Sequence, residues 1–362
     1  MKLLDAVNLV KNCVSNDDVV QILSHICLDD NKIIAYNGAQ AIIVKTDDID
    51  DISCAVPGTT LIKILNSLPV NEVKISQEDD ILNITCAKTK TKVNLSTLPR
   101  KQFIFKEEDI SDKINKDYYL VVNEEFISGL TRCIDTISDN RTKIEENGIT
   151  IIAKGESMVL YSTDRVQLSS YVITENVTYN GVFMIPQTFC QMLLELKSIV
   201  LGRKMFIAND CLMIVSKEVT LFSHLISDIS YLPYRQVITD NVSDDIVLFR
   251  VPKKLSDSLT RCMLVATATD KRVGITTSSR NNFIELSGDS LLGNIRERVI
   301  IKQTLKDGTF TVNGDFLNNM LPHVTEIAFN TRGKNSTVIV GISENSSFTR
   351  IISSIPTEEK GE

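Results

Sequence analysis

At 362 residues the chain exceeds the roughly 250–300 over which a single hydrophobic core keeps growing, so two or three domains are expected. Its apolar and charged residues are mixed as in a globular protein, no apolar run reaches the roughly 18 residues of a membrane span, and no secretory pattern follows Met1, so the cytoplasm is the expected location. The net charge of −7 argues against a protein that grips phosphates through an extensive basic surface.

The first helix is expected over residues 2–14, ending in Val10-Lys11-Asn12-Cys13. The run NKIIAYNGAQAIIVK then reads as strands, rich in Ile and Val and broken by Asn and Gly. VPGTTLIKILNSL opens a second helix with Pro57 in its first turn, where the missing N–H costs nothing. A strand pair, EVKISQEDDILNITC, closes the unit.

The same order then returns twice. In EEFISGLTRCIDTIS the residues Phe126, Leu130, Cys133 and Ile137 step along one helix face. Strands in ESMVLYSTDRVQLSSYVIT follow, then the proline-led helix IPQTFCQMLLELK with Pro186, and the closing strands KMFIANDCLMIVSKEVTLFSHLI. In the third round Leu255, Leu259, Cys262 and Ala266 repeat the helix face, NNFIELSGDS the strands, and VNGDFLNNML the second helix, with Asn313 in place of proline. EIAFNTRGKNSTVIVGI and FTRIISSI end it. The tetrapeptide Leu-Thr-Arg-Cys starts at Leu130 and again at Leu259, and Cys13 marks a weaker third copy. Leading strands are expected at LVVNEE and VLFRVP for the second and third units, whereas the first unit has none, because its helix begins almost at Met1.

Three copies of a unit with two helices on one face of antiparallel strands define an α+β protein of three tandem domains, 1–114, 115–243 and 244–362. The joins fall in the polar, acidic stretches 111–117 and 239–245. Heterologous contacts between such units generate rings when they close.

Little in the sequence points to catalysis. There is no Walker-type glycine loop, no His-x-x-x-His metal pair and no Gly-x-Ser-x-Gly elbow. Carboxylate pairs such as Asp29-Asp30, Asp50-Asp51 and Asp79-Asp80 sit in turn-like polar stretches, and the eight scattered cysteines read as small buried hydrophobes. No catalytic residue, metal or cofactor is expected. A non-enzymatic tandem-repeat protein serving interaction or structure stands as the alternative from composition alone.

Four local segments, in order across the repeats, carry a resemblance. They are VQILSHICL from Val20, LSTLPRKQF over 95–103, TDRVQL over 163–168 and YLPYRQVI over 231–238. With the threefold repeat they resemble the bacterial sliding clamp, the beta subunit of the replicative DNA polymerase, across nearly the whole chain. The departures are the missing first strand, Arg165-Val166-Gln167 where the family has Gly-His-Arg, and the ending IPTEEKGE; they fit a divergent member such as a phage would carry.

The resemblance implies DNA-clamp domains, closure of two copies head to tail into a six-domain ring around double-stranded DNA, and partnership with a DNA polymerase and a clamp loader ATPase. Topological enclosure also reconciles the acidic charge with DNA, because a closed ring needs only weak contacts. The helices expected to line the ring, and the loop after the third of them, supply candidate DNA contacts at Lys11, Lys63, Arg132, Asn140, Arg141, Lys143, Lys197, Lys253, Lys254 and Arg261. Positive and negative charges on those helices nearly cancel, so the lining is less acidic than the rest without being strongly basic. A partner-peptide pocket is implied at Thr163, Arg165, Leu168, Leu232, Gln236, Val237, Ile351, Ile352 and Ile355, with Glu146 where the family has an apolar wall. Leu168, Val237 and the isoleucines fit a plain core equally well. For the dimer interface the resemblance implies Phe103 and Phe105 against Leu264 and Val265 of the next copy, and internal packing of the two phenylalanines is the other reading.

Overall fold

Leu3, Ala6, Val7 and Val10 share one face and are all buried, and this stripe winds the start of the chain into α1 (Leu3–Val10). In the computed structural model, which describes residues 1–15, 20–69, 72–140, 142–174, 178–227, 230–242, 246–266, 271–291, 293–332 and 336–356, the first repeat continues with β1 (His25–Asp29), β2 (Lys32–Tyr36), β3 (Gln40–Lys45) and β4 (Ser53–Pro57). Then come α2 (Gly58–Ser67), β5 (Val73–Glu78), β6 (Ile81–Cys86), β7 (Thr91–Ser96), the short β8 (Leu98–Pro99) and α3 (Glu108–Ser111).

The second repeat is led by β9 (Tyr119–Val121) and α4 (Glu124–Cys133), whose first turn is capped by Asn123 Oδ1 accepting the Phe126 N–H at 2.7 Å. It continues through β10 (Gly148–Lys154), β11 (Ser157–Thr163), β12 (Gln167–Ile173), β13 (Gly181–Pro186), α5 (Gln187–Glu195), α6 (Lys197–Val200), β14 (Lys204–Ile207), β15 (Cys211–Val215), β16 (Val219–His224) and α7 (Tyr234–Asn241). The third runs β17 (Phe249–Arg250), α8 (Leu255–Val265), β18 (Arg272–Thr277), β19 (Phe283–Ser290), β20 (Gly293–Ile300), β21 (Gly308–Asn313), α9 (Gly314–Met320), β22 (Glu326–Arg332), β23 (Ser336–Ile342) and β24 (Phe348–Ser353).

The expected order is therefore found, with four strands between the first and second helices of each repeat. Pro57 and Pro186 end strands, and the helices start one residue later. Asn313 replaces the proline because it caps: its Oδ1 accepts the N–H groups of Asp315 and Phe316. Helix α7 was not expected. The join at 239–245 starts inside it, and residues 243–245 lie outside those described.

The chain divides into two compact units: Met1–Ile127, Val177–Asn180 and Gln191–Ser227 form one, and Ser128–Asn176, Gly181–Cys190 and Asp228–Glu362 the other. Strand pairing explains why. In the first unit a nine-stranded sheet runs β8-β4-β1-β2-β3-β16-β15-β14-β9, so that β3 of the first repeat pairs with β16 of the second, Ile42 opposite Leu221. A three-stranded sheet, β5-β6-β7, completes that unit. In the second unit the order is β13-β10-β11-β12-β24-β23-β22-β17, and β12 of the second repeat pairs with β24 of the third, Ser169 opposite Arg350. A four-stranded sheet, β20-β19-β18-β21, remains. Each large sheet thus joins the first half of one repeat to the second half of the next.

Helices cover these sheets closely. In the first unit α1 packs on β2, β3 and α2, with Asn8 and Asn66 exchanging side-chain hydrogen bonds between the two helices. In the second, α8 lies on β19 and β20, and Gly288 is required at the crossing, where a Cβ would stand 2.2 Å from the Cys262 carbonyl oxygen. No helix among the described residues is long and apolar enough to cross a membrane.

Candidate functional site

In the second unit, β11, β12, β24 and β23 lie side by side, and alternation along each strand puts Tyr161, Leu168, Ile351, Val338 and Val340 into one cluster. Leu168 stands opposite Ile351, and Ile351 opposite Val340. The segment following Tyr231 crosses this cluster. Tyr234 is buried in it, and Leu232, Ile238 and Val242 pack alongside. The ring of Tyr234 stacks on Tyr161 at 5.0 Å and 6°, and its hydroxyl meets Thr150 Oγ1 at 3.2 Å. Burial pushes both phenols up, so they stay neutral hydrogen-bonding groups. An eight-residue helix is marginal alone, and α7 forms because this face packs. Its Gln236 and Val237 are exposed.

A turn borders the cluster. Asp164 Oδ1 accepts the N–H groups of Val166 and Gln167, and Thr163 Oγ1 accepts that of Arg165, which holds Arg165 at φ +71°. The guanidinium reaches back to two carboxylates. Nη2 donates to Glu145 at 2.9 Å and Nε to Glu146, whose side chain is only 1% exposed. Lys143 Nζ stands 4.0 Å from the same Glu146 oxygen. The carboxylate expected to interrupt the groove wall is therefore buried with its charge matched.

The structure brings together Leu168, Leu232 and Ile351, with Thr163 and Arg165 in the bordering turn. It does not bring Ile352, which is fully buried and, one residue on from Ile351, points to the other face of the sheet. Ile355 lies beyond β24, half-buried and bridged to Thr311. On the opposite face an arginine arrives from β24: Arg350 Nη2 donates to Gln167 Oε1 at 2.5 Å, and Gln167 Nε2 donates to Asp164. Arg350 is fully buried, and burial lowers its pKa. A lone charged residue inside the apolar run FTRIISSI was the sequence signal for it.

The candidate DNA contacts differ in how far they are committed elsewhere. Lys11, Lys63, Lys253 and Lys254 are exposed, and no ion pair holds them among the described residues. Lys197 pairs with Glu124 at 2.8 Å. Arg261 is held by both oxygens of Glu297, with Nη2 to Oε2 at 2.6 Å, a pair that sequence spacing did not reveal. Arg132 is half-buried over the rings of Tyr171 and Phe348 at 5.3 and 5.5 Å. Asn140 is exposed, with its Oδ1 accepting from Thr142, and Arg141 lies outside the described residues.

Phe103 and Phe105 are core residues of the first unit, 1% and 4% exposed, packed with Cys27, Ile34, Ala41, Cys211 and Phe222. Their alternation reflects a chain crossing a sheet face, and of the two expectations it is internal packing that describes them in this chain. Leu264, in contrast, is 77% exposed, and Val265 is half-buried.

No protein-family model matches this sequence, and no curated protein does. Among solved structures the fold is that of the bacterial DNA polymerase sliding clamps. The DnaN sliding clamp of Pseudomonas aeruginosa bound to griselimycin matches with a TM-score of 0.82 at 16% identity, over 98% of this chain and 97% of that one. The C. crescentus beta sliding clamp gives 0.85 at 16% identity over 98% and 96%, and the DNA polymerase III beta subunit of Thermotoga maritima 0.82 at 16% over 99% and 98%. At such identities the likeness defines the fold.

Proposed function

We propose that this chain is a DNA sliding clamp, a processivity factor that encloses duplex DNA and tethers a DNA polymerase without chemistry of its own. The observation that carries the reading is the sheet order, in a chain whose fold matches clamps over 98% of its length. Every large sheet is a first half-repeat paired to the next second half-repeat, which leaves β20 at one edge and β7 at the other for a second copy. Three domains, 1–114, 115–243 and 244–362, then make a closed ring of six from two chains.

Register supports a particular pair of residues for that contact. Counting from Pro57, Pro186 and Asn313, which precede the second helices, makes Ile42, Ser169 and Ile295 equivalent. Counting from the β5–β6 and β14–β15 turns makes Val93 equivalent to Leu221. Since Ile42 faces Leu221 within the chain, Ile295 would face Val93 between copies. Leu264 and Val265, the last residues of α8, are the remaining interface candidates.

DNA would meet the helices α1, α2, α4, α5, α8 and α9, with Lys11, Lys63, Lys253 and Lys254 as the available cations; enclosure rather than charge supplies retention. The cluster around Leu168, Leu232 and Ile351 would take the apolar anchors of polymerase and clamp-loader peptides. The test is loading by an ATP-driven clamp loader onto nicked circular DNA, followed by linearisation. Retention on circles and loss through free ends is expected. Equal retention on both forms would leave ordinary binding by a tandem-repeat interaction protein.

A further inference from the structure

The two large sheets are joined at equivalent places by unlike rows of side chains. In the first unit the row across the junction of β3 with β16 is Ile214, Leu221, Ile42 and Ala35, each directly opposite the next, and all four are buried. In the second unit the same row, across the junction of β12 with β24, is Gly341, Arg350, Ser169 and Ser162. It is as deeply buried, and none of its side chains is apolar.

The polar row is matched to its own strands. Arg350 Nη2 donates to Gln167 Oε1 at 2.5 Å, Gln167 Nε2 donates to Asp164 at 3.0 Å, and Ser162 Oγ donates to the Cys133 carbonyl oxygen at 2.6 Å. Gly341 leaves its place to Met320, whose Sδ would stand 2.6 Å from a Cβ there. The match is incomplete, because Arg350 Nε and Nη1 and Ser169 Oγ have no partner among the described residues. Aliphatic side chains, as in the first unit, would join the sheet without leaving such groups, so stability does not account for the polar row.

Its effect falls on wrong partners. On the ring reading, the edges β7 and β20 present Val93 and Ile295 at the equivalent positions. If β24 lay on β20, the Arg350 guanidinium would be buried against Ile295, with Gly293 where Gln167 supplies an acceptor. If β7 lay on β12, the Ser169 hydroxyl and the Gln167 amide would be buried against aliphatic Val93. We propose that Arg350, received by Gln167 and flanked by Ser169, is a specificity determinant of assembly: it restricts β12 and β24 to each other and leaves the apolar edges β7 and β20 for the second copy. The inference rests on the ring reading for the identity of the competing edges.

The test separates fidelity from stability. The full chain carrying Arg350→Leu and Ser169→Ile, which copies Leu221 and Ile42, is unfolded in urea, refolded at high protein concentration and run in sedimentation velocity. Its urea midpoint is expected to equal or exceed the parent's, while the share of material larger than a dimer rises about tenfold through strands exchanged between copies. Arg350→Lys keeps the charge and loses the guanidinium fork, so its midpoint is expected to fall while its assembly stays as uniform as the parent's. This variant answers independently should the double variant not fold. A double variant that refolds as uniformly as the parent, or an Arg350→Lys chain that is the more polydisperse, would overturn the proposal. A parent that stays monomeric at every concentration would instead overturn the ring reading, and comparison of each variant with its parent would still decide whether Arg350 restricts strand pairing.

Discussion

Arg165 holds the buried carboxylate of Glu146 through Nε, from a turn that Thr163 and Asp164 fix in the left-handed region. The pair makes an acidic residue tolerable at the border of an otherwise apolar cluster. Breaking it leaves Glu146 buried, with Lys143 at 4.0 Å as its remaining cation among the described residues.

Arg165→Ala is therefore expected to cost about 1–2 kcal/mol, less than the ~3–5 of a fully buried pair because the Arg165 side chain is 51% exposed and screened by water. Urea denaturation measures it. Adding Glu146→Leu to that variant should recover most of the loss, since no carboxylate then stays buried. A second substitution that makes matters worse would show that the pair does not account for the burial of Glu146.

Phe103 and Phe105 stabilise the first unit. Each single change to Ala is expected to lower stability by about 3–5 kcal/mol, from lost burial and the cavity left behind. The readout is the denaturation midpoint at a protein concentration low enough to exclude assembly. A midpoint that falls only when copies associate would return both residues to the interface.

The fold was legible because it is written three times: the helix face Phe126-Leu130-Cys133 and its copy Leu255-Leu259-Cys262, and the prolines ahead of α2 and α5, all fell in register. Leu168, Leu232 and Ile351 were legible as a group through local likeness. What escaped depends on partners distant in sequence. Helix α7 carries too few residues to signal itself and exists because Tyr234 and Ile238 find the sheet. The Arg261–Glu297 pair joins a helix to a strand 36 residues on, which no local spacing encodes. Alternation at Phe103 and Phe105 is equally consistent with an edge strand and with a chain laid across a sheet, and packing alone decides between them.

Glu297 is held at about pH 2 by the hydrogen bonds from Arg261 and Ser258, well below an ordinary carboxylate. A depressed folded value contributes stability that is present above the unfolded value near 4.5 and is lost as pH falls through about 2. Acid unfolding followed from pH 6 to 2 should flatten in Glu297→Gln. The same pair ranks the candidate DNA contacts. Lys253→Ala with Lys254→Ala should lower the salt dependence of DNA binding by about one counterion per lysine, whereas Arg261→Ala, already neutralised, should change it less. A larger effect from Arg261 would mean that the ion pair opens on DNA.

Ring closure makes the sharpest prediction, because it names a contact absent from a single chain. Val93 and Ile295 are both half-buried on edge strands, so changing either should leave the fold intact. Val93→Glu places a charge where two apolar side chains are expected to meet, and so does Ile295→Lys; each alone should convert dimer to monomer in sedimentation velocity. The two variants mixed should reassemble at least partly, since opposite charges then face each other across the strands, a gain of roughly 0.2–1 kcal/mol per pair. Dimers that persist in both single variants would place the interface elsewhere, with the exposed Leu264 the next residue to change.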